Sequence, residues 1–480
     1  MIPVAKVLSA DTITPVGAYL RLRRKGVPSF LLESADGGES VGRYSFLGCE
    51  PSGSLVAHHG KLTIRDGQDS ESIEVNDPIK EIGKVLERYT SKNPPHLPPF
   101  QGGAIGYVGY DAVHYLEEIP RPDKDFLTPD ASLMFFRSIV AFDRLKHQIF
   151  LISHVEPAKE SLKDGLRRAL GDIEDLESKI RSPLETPGLP LSMDISDGSS
   201  LKVRPMMGRQ RYLEGVKTIK NHIRAGDIFQ CVLSDRFELD LKGDPFTTYR
   251  YLRMINPSPY LYYLDFGDQI LLGSSPEMLV RAEGKTIETC PIAGTRPRGK
   301  DRKEDLKYER ELLQSVKEKA EHLMLVDLGR NDIGRVSRSG TVEVTDYMSV
   351  ERFSHVMHLV SLVRGKLKSN LSAWDALCSC FPAGTLTGAP KIRAMEIISS
   401  LEGAARGCYG GAVVAHDFSG NLNSCITIRS MWVKEGRGYI QAGAGVVADS
   451  NPEKEYEEVL NKSKAVRVAA SLAEKSGGGR

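Results

Sequence analysis

The sequence predicts an α+β protein in which short strands and separate long helices share the chain. Three observations carry this expectation. Residues 1–150 break into short apolar or alternating runs with glycine between them, the pattern of strands and turns. Charged amphipathic stretches long enough for helices occur at 156–181, 209–226 and 305–325, and again from Pro452. Strand-like runs and helices do not alternate one for one, which disfavours a regular βαβ order.

Taken in order, "SFLLES", "SLVAHHGKLTIRDG", "GGAIGYVGYD" and "SLMFFRSIVAFDRLKHQIFLISHV" read as strands. The alternation in "QIFLISHV" suggests an antiparallel sheet with one packed face. A charged helix over 156–181 ends the first region, 1–181. Residues 182–200, "SPLETPGLPLSMDISDGSS", carry proline, serine and glycine without periodicity and read as a linker. The second region, 201–480, opens with a helix over 209–226 and then returns to strands. A long helix follows from about Asp305 to Leu325, then a loop and helix at "FPAGTLTGAPKIRAMEII". The last strands, "YGGAVVAHDFSGNLNSCITIRSMWVKEG" and "GYIQAGAGVVADS", precede a closing helix with Asn451 as N-cap and Pro452 in its first turn.

Composition narrows the function classes. The 480 residues carry 64 basic and 63 acidic side chains, a formal charge of +1, so no net field draws the chain to nucleic acid or anionic lipid. No apolar run approaches the roughly 18 residues of a membrane span. Seven scattered cysteines with no C-x-x-C pair suit a protein of a reducing compartment, the cytoplasm, rather than a disulfide framework or a zinc site.

The Gly384 loop resembles a phosphate cradle, but the count is wrong. Three residues separate Gly384 from Gly388, Ala389 and Pro390 precede Lys391, and Ile392 stands where a P-loop needs Ser or Thr. Its exposed N–H groups at a helix start suit a carboxylate as well as a phosphate. Glu318 and Glu321 are three apart on one helix, and so are Glu455 and Glu458 on another. Alone, such pairs are ordinarily a solvated face; together, four carboxylates would suit a hard cation such as magnesium. Arg429 and Thr427 fall on one face of the strand-like "SCITIRSMWV", where an arginine is costly unless it meets an anion or an ion-pair partner. "DLGRNDIGRV" reads as a rigid hydrogen-bonded turn.

Read together, "PIAGTRPRG", "AEHLMLVDLGRNDIGRV", "FPAGTLTGAPK" and "GAGVVADSNPEKEYEE" stand in the order found in the chorismate-utilising enzymes, and the chain resembles that family, specifically anthranilate synthase large subunits. The resemblance runs from "LLES" to "EYEEVLNKSKAV". It implies large, mainly antiparallel sheets packed centrally with helices outside, and a magnesium-dependent lyase that makes anthranilate and pyruvate from chorismate and ammonia. It implies that Glu318, Glu321, Glu455 and Glu458 surround the metal, which grips the ring carboxylate. Arg429 and Tyr409 would hold the carboxylate of the enolpyruvyl arm, with further contacts from Thr385, Gly388 and the backbone at Gly443 and Gly445. Glu277 matches the acid that expels the ring hydroxyl, His358 the histidine near the departing pyruvate, and Lys462 the lysine at the metal end.

Two positions separate the relatives. Those that add water carry a lysine base where this chain has Gln230, and ammonia needs positioning rather than a base. Aminodeoxychorismate synthases often carry a lysine where Ala293 stands. The resemblance further implies feedback by tryptophan at Glu33, Ser34, Asn256, Pro257, Pro259 and Tyr260. With no glutaminase arrangement in the chain, ammonia would come from a separate amidotransferase subunit, in a tetramer of two large and two small subunits. The alternatives are an aminodeoxychorismate synthase and a nucleotide-binding protein built on the Gly384 loop.

Overall fold

A computed structural model describes residues 1–35, 42–122, 124, 126, 128–184, 188–189, 201–352 and 356–477. Its strands form two twelve-stranded antiparallel sheets. The first runs from Ile2–Ser9 through Gln148–Val155, Ser138–Asp143, Tyr44–Cys49 and Ser29–Glu33 to Tyr260–Asp265, Gln269–Ser275, Ser430–Lys434, Arg437–Val446, Gln230–Asp240 and Arg204–Pro205, with Gly388–Ala389 paired to Gln230–Asp240. The second runs from Ile292–Pro297 through Val356–Lys366, Thr286–Thr289, Met278–Glu283, Leu422–Ile426 and Ala412–Asp417 to Gly103–Val108, Ala131–Phe136, Gly53–His58, Lys61–Asp66 and Asp69–Glu74, with Glu343–Arg352 paired to Val356–Lys366. Strands from before and after the proposed linker therefore share both sheets. Within that linker, 185–187 and 190–200 lie outside the described residues.

Side-chain alternation explains the layering. Along Ser138–Asp143, Ile139 and Ala141 face the space between the sheets, while Val140 and Phe142 face helices. Tyr262 and Leu264 point inward and Leu261 and Tyr263 outward on the neighbouring strand. Met134 and Phe136 do the same from the second sheet, with Leu133 and Phe135 turned out. The expectation of one packed face is thus corrected: both faces are buried, and this is why these strands read as nearly unbroken apolar runs. Helices Leu162–Arg181, Pro245–Ile255 and Pro452–Gly477 cover the first sheet; Pro78–Leu86, Val316–Val336 and Ala373–Cys380 cover the second. No helix among the described residues is long and apolar enough to cross a membrane.

Three local expectations change. The helix expected over 305–325 is two, Arg302–Gln314 and Val316–Val336, because Ser315 stops one and caps the other by accepting a hydrogen bond from the Glu318 amide at 3.3 Å. "DLGRNDIGRV" is the end of that second helix, not a turn. Arg330 pairs with Asp327 three residues back at 3.0 Å, and Gly329 lies close against Thr289 and Pro291. "SCITIRSMWV" is not one strand. Leu422–Ile426 belongs to the second sheet and Ser430–Lys434 to the first, so residues 427–429 cross between them.

Candidate active site

That crossover builds the site. Arg429 sits at its end with φ of 52°, a left-handed conformation rare for a residue with a side chain, and its carbonyl accepts the Ser274 amide at 3.1 Å. The guanidinium enters a cleft of about 930 Å³ and makes no hydrogen bond or ion pair with any described residue. Burial pulls its affinity for the proton down, against the opposing effects of Tyr409, Glu458 and Glu277. A half-buried, unpaired cation beside an open cavity is costly unless an anion enters. The Tyr409 hydroxyl lines the same cleft.

Opposite stands Glu277, just after the strand Gln269–Ser275. Burial pushes its carboxyl up to about 7, while a hydrogen bond from the Thr385 hydroxyl at 2.8 Å and the charges of Lys462 and Arg429 pull it down. It is therefore partly protonated at neutral pH, the state a proton donor needs. Thr385 lies in the short 3₁₀ turn Gly384–Leu386, so the glycine loop places a hydroxyl on an acid.

The floor is the pair of strands Gln230–Asp240 and Arg437–Val446. A Cβ on Gly445 would stand 2.5 Å from Nε2 of Gln230, and one on Gly443 would stand 2.9 Å from the Tyr409 hydroxyl. Both glycines thus keep room for polar side chains to lie over the strand. Gln230 is buried, and its Oε1 has no hydrogen-bond partner among the described residues. His358 donates from Nδ1 to the Gly294 carbonyl at 2.9 Å, which leaves Nε2 as the acceptor. Burial, aided by Arg429, lowers its pKa and keeps it neutral, despite that hydrogen bond.

The mouth lies between the two glutamate-bearing helices. Glu321, Glu455 and Glu458 line it. Burial raises the Glu321 carboxyl, and Glu318 and Glu458 raise it further; Glu455 is raised by burial and by Glu458. Lys462 pairs with Glu458 at 2.6 Å and donates to the Gly443 carbonyl at 3.0 Å. Glu318 turns away to Arg296 at 3.2 Å and does not line the cleft. His322, bonded to the Ser361 hydroxyl at 2.7 Å, ties the first of these helices to the strand that carries His358. The donors suit magnesium in kind, being carboxylate oxygens that destabilise one another. Among the described residues, however, no three acidic, His or Cys side chains gather closely enough to hold an ion.

Gly388 differs from its expected role. It pairs with Cys231 across a two-residue strand, and a Cβ there would meet the Gln230 carbonyl at 2.1 Å; it packs the floor and does not line the cleft. Lys317, which bridges to Asp449 at 3.5 Å across the mouth, and Lys454 were not anticipated. Each neighbours an expected glutamate, and their charge beside those pairs was the available signal.

A second cavity of about 330 Å³ lies between the sheets, lined by Ser34, Pro259 and Tyr260. Asn256 and Pro257 line the large cleft instead, and Pro259 lines both, so this turn is a shared wall. Glu33 also lines this cavity, but its carboxylate departs from the expected role. That carboxylate turns to the other face of the sheet, where it accepts from the Tyr249 hydroxyl at 2.8 Å and from Arg253 at 3.0 Å.

Residues 27–468 match the family model described as chorismate binding enzyme. Anthranilate synthase component 1 of Acetivibrio thermocellus is 45% identical over 98% of this chain and 96% of its own length. The crystal structure of anthranilate synthase component I from Streptococcus pneumoniae aligns with a TM-score of 0.80 at 38% identity, over 96% of this chain and 99% of that one. A menaquinone-specific isochorismate synthase from Escherichia coli shares the fold, with a TM-score of 0.71 at 18% identity, over 98% of this chain and 95% of that one.

Proposed function

Since the chain belongs to the chorismate-binding enzymes, alongside the anthranilate synthase component 1 proteins, we propose that its large cleft aminates chorismate and eliminates pyruvate to give anthranilate. The observation that carries this reading is the facing pair in one cleft: an unpaired Arg429 and a Glu277 carboxyl near neutrality. Arg429 and the Tyr409 hydroxyl bind the enolpyruvyl carboxylate. Protonated Glu277 donates to the departing ring hydroxyl. The free Gln230 Oε1 accepts an N–H of ammonia and aims its lone pair at the ring, with no lysine there to activate water. Neutral His358, in the cleft wall, takes the proton lost as pyruvate leaves.

Glu321, Glu455 and Glu458 would hold magnesium together with the substrate, whose own carboxylate completes the ligand set; when bound, the ion neutralises that carboxylate. The inter-sheet cavity takes tryptophan as a feedback inhibitor, with Ser34 at the polar end and Pro259 and Tyr260 as apolar walls. Ammonia comes from a separate amidotransferase component, as the name component 1 on the relatives suits. Ala293 lines the cleft where a lysine would favour aminodeoxychorismate chemistry, which weighs against that second reading.

Calorimetric titration of the apo protein with chorismate plus Mg²⁺, and separately with ATP plus Mg²⁺, tests the assignment of the cleft. Chorismate should bind and ATP should not. Tight ATP binding with no response to chorismate would overturn the reading.

A further inference from the structure

On the outer face of the first sheet, remote from the cleft lining, a cavity of about 430 Å³ opens between helix Pro245–Ile255, the start of helix Pro15–Leu22 and the end of strand Ser29–Glu33. Three guanidinium groups line it, those of Arg144, Arg250 and Arg253, against one carboxylate, Glu33. That carboxylate is already engaged by the Tyr249 hydroxyl and by Arg253, with Arg144 4.0 Å away. Arg144 donates a hydrogen bond to the Ser45 hydroxyl at 3.0 Å. Arg253 spends Nη2 on Glu33 and keeps Nε buried with no acceptor among the described residues. Arg250 makes no hydrogen bond or ion pair with any described residue. Burial, and then the charges of Arg23 and Arg253, loosen its hold on the proton, with Tyr251 and Asp244 opposing. Among the described residues, three positive groups against one negative leave a surplus of two charges, and two of the three guanidinium forks have N–H groups with no acceptor.

We propose that this cavity binds a small phosphate dianion, either free phosphate or the head of a phosphate monoester. Guanidinium forks pair with phosphate oxygens through parallel N–H contacts, and a dianion matches the charge surplus. A dianion between Arg250 and Arg253 competes with Glu33 for Arg253. Occupancy is therefore felt on strand Ser29–Glu33, whose next residue, Ser34, lines the inter-sheet cavity.

Titration of the protein with inorganic phosphate, and separately with glucose 6-phosphate, at constant ionic strength tests this in wild type, Arg250→Gln and Arg429→Ala. Binding should persist in Arg429→Ala and weaken about 10- to 100-fold in Arg250→Gln, the loss expected for charged hydrogen bonds. Tighter binding of the monoester identifies a phosphorylated metabolite as the ligand; tighter binding of phosphate identifies the free ion. Phenylglyoxal modification of the wild-type protein, read by peptide mass, gives a second measure, with phosphate slowing adduct formation at Arg250. Equal affinity in wild type and Arg250→Gln, no binding at all, or loss of binding in Arg429→Ala alone would overturn the proposal. So would Arg250 reactivity that phosphate leaves unchanged.

Discussion

Replacing Glu277 by Gln should stabilise the protein and disable it at once. In the folded chain the carboxyl is pushed up to about 7, against 4.5 for an ordinary glutamate. Below pH 4.5 both states are protonated and the substitution should be nearly neutral. Between pH 4.5 and 7 the unfolded chain ionises first, so the wild type loses stability as pH rises, and above pH 7 the loss is complete. A gap of about 2.5 pH units at about 1.4 kcal/mol each sets an upper limit of about 3 kcal/mol. Glutamine escapes this cost, because it stays neutral and its carbonyl still accepts from Thr385. Urea unfolding of both proteins from pH 4.5 to 8 measures the difference, which should grow through that window and then level off. Turnover should fall about 10²- to 10⁴-fold for want of a proton donor. A stability difference flat with pH, or a variant with wild-type turnover, would refute the assignment of Glu277 as a buried acid.

Four further outcomes follow from the same geometry. Arg429→Ala should raise KM for chorismate by the equivalent of about 2–5 kcal/mol, as expected when a bidentate charged contact is lost; steady-state kinetics at saturating ammonium reads it. Gly445→Ala drives a methyl group to 2.5 Å from the Gln230 amide. It should raise KM for ammonia far more than KM for chorismate. Glu458→Ala should lose turnover at ordinary Mg²⁺ and recover part of it at high Mg²⁺, measured as activity against metal concentration; full activity at ordinary Mg²⁺ would remove that helix from the metal site. Ser34→Phe fills the inter-sheet cavity and should abolish inhibition by tryptophan while leaving turnover without it nearly intact, because an inhibitor acts only through a state it binds more tightly.

The sequence was most legible where one physical demand acts on neighbouring residues. Asn451 and Pro452 mark the closing helix because capping is local, and Glu455 and Glu458 fall on one face because helical spacing is fixed. The two-sheet core was legible as apolar runs, but not which face each residue takes, since burial on both faces erases the period of two. Arg429 shows the limit clearly. Its strand-like surroundings hide a crossover between two sheets, and only the pairing of Gly273 with Ser430 and of Val413 with Cys425 reveals it. The direction of the Glu33 carboxylate and the place of Gly388 were hidden for a similar reason. Which side of a sheet a residue faces, and which backbone it packs against, are set by partners more than a hundred residues away.

The most direct test of the central claim is product identification. The purified chain, given chorismate, ammonium and Mg²⁺ without any partner component, should release anthranilate and pyruvate in equal amounts, followed by anthranilate fluorescence and confirmed by mass spectrometry. An amino-substituted chorismate that still carries its enolpyruvyl arm, with no pyruvate released, would contradict the account.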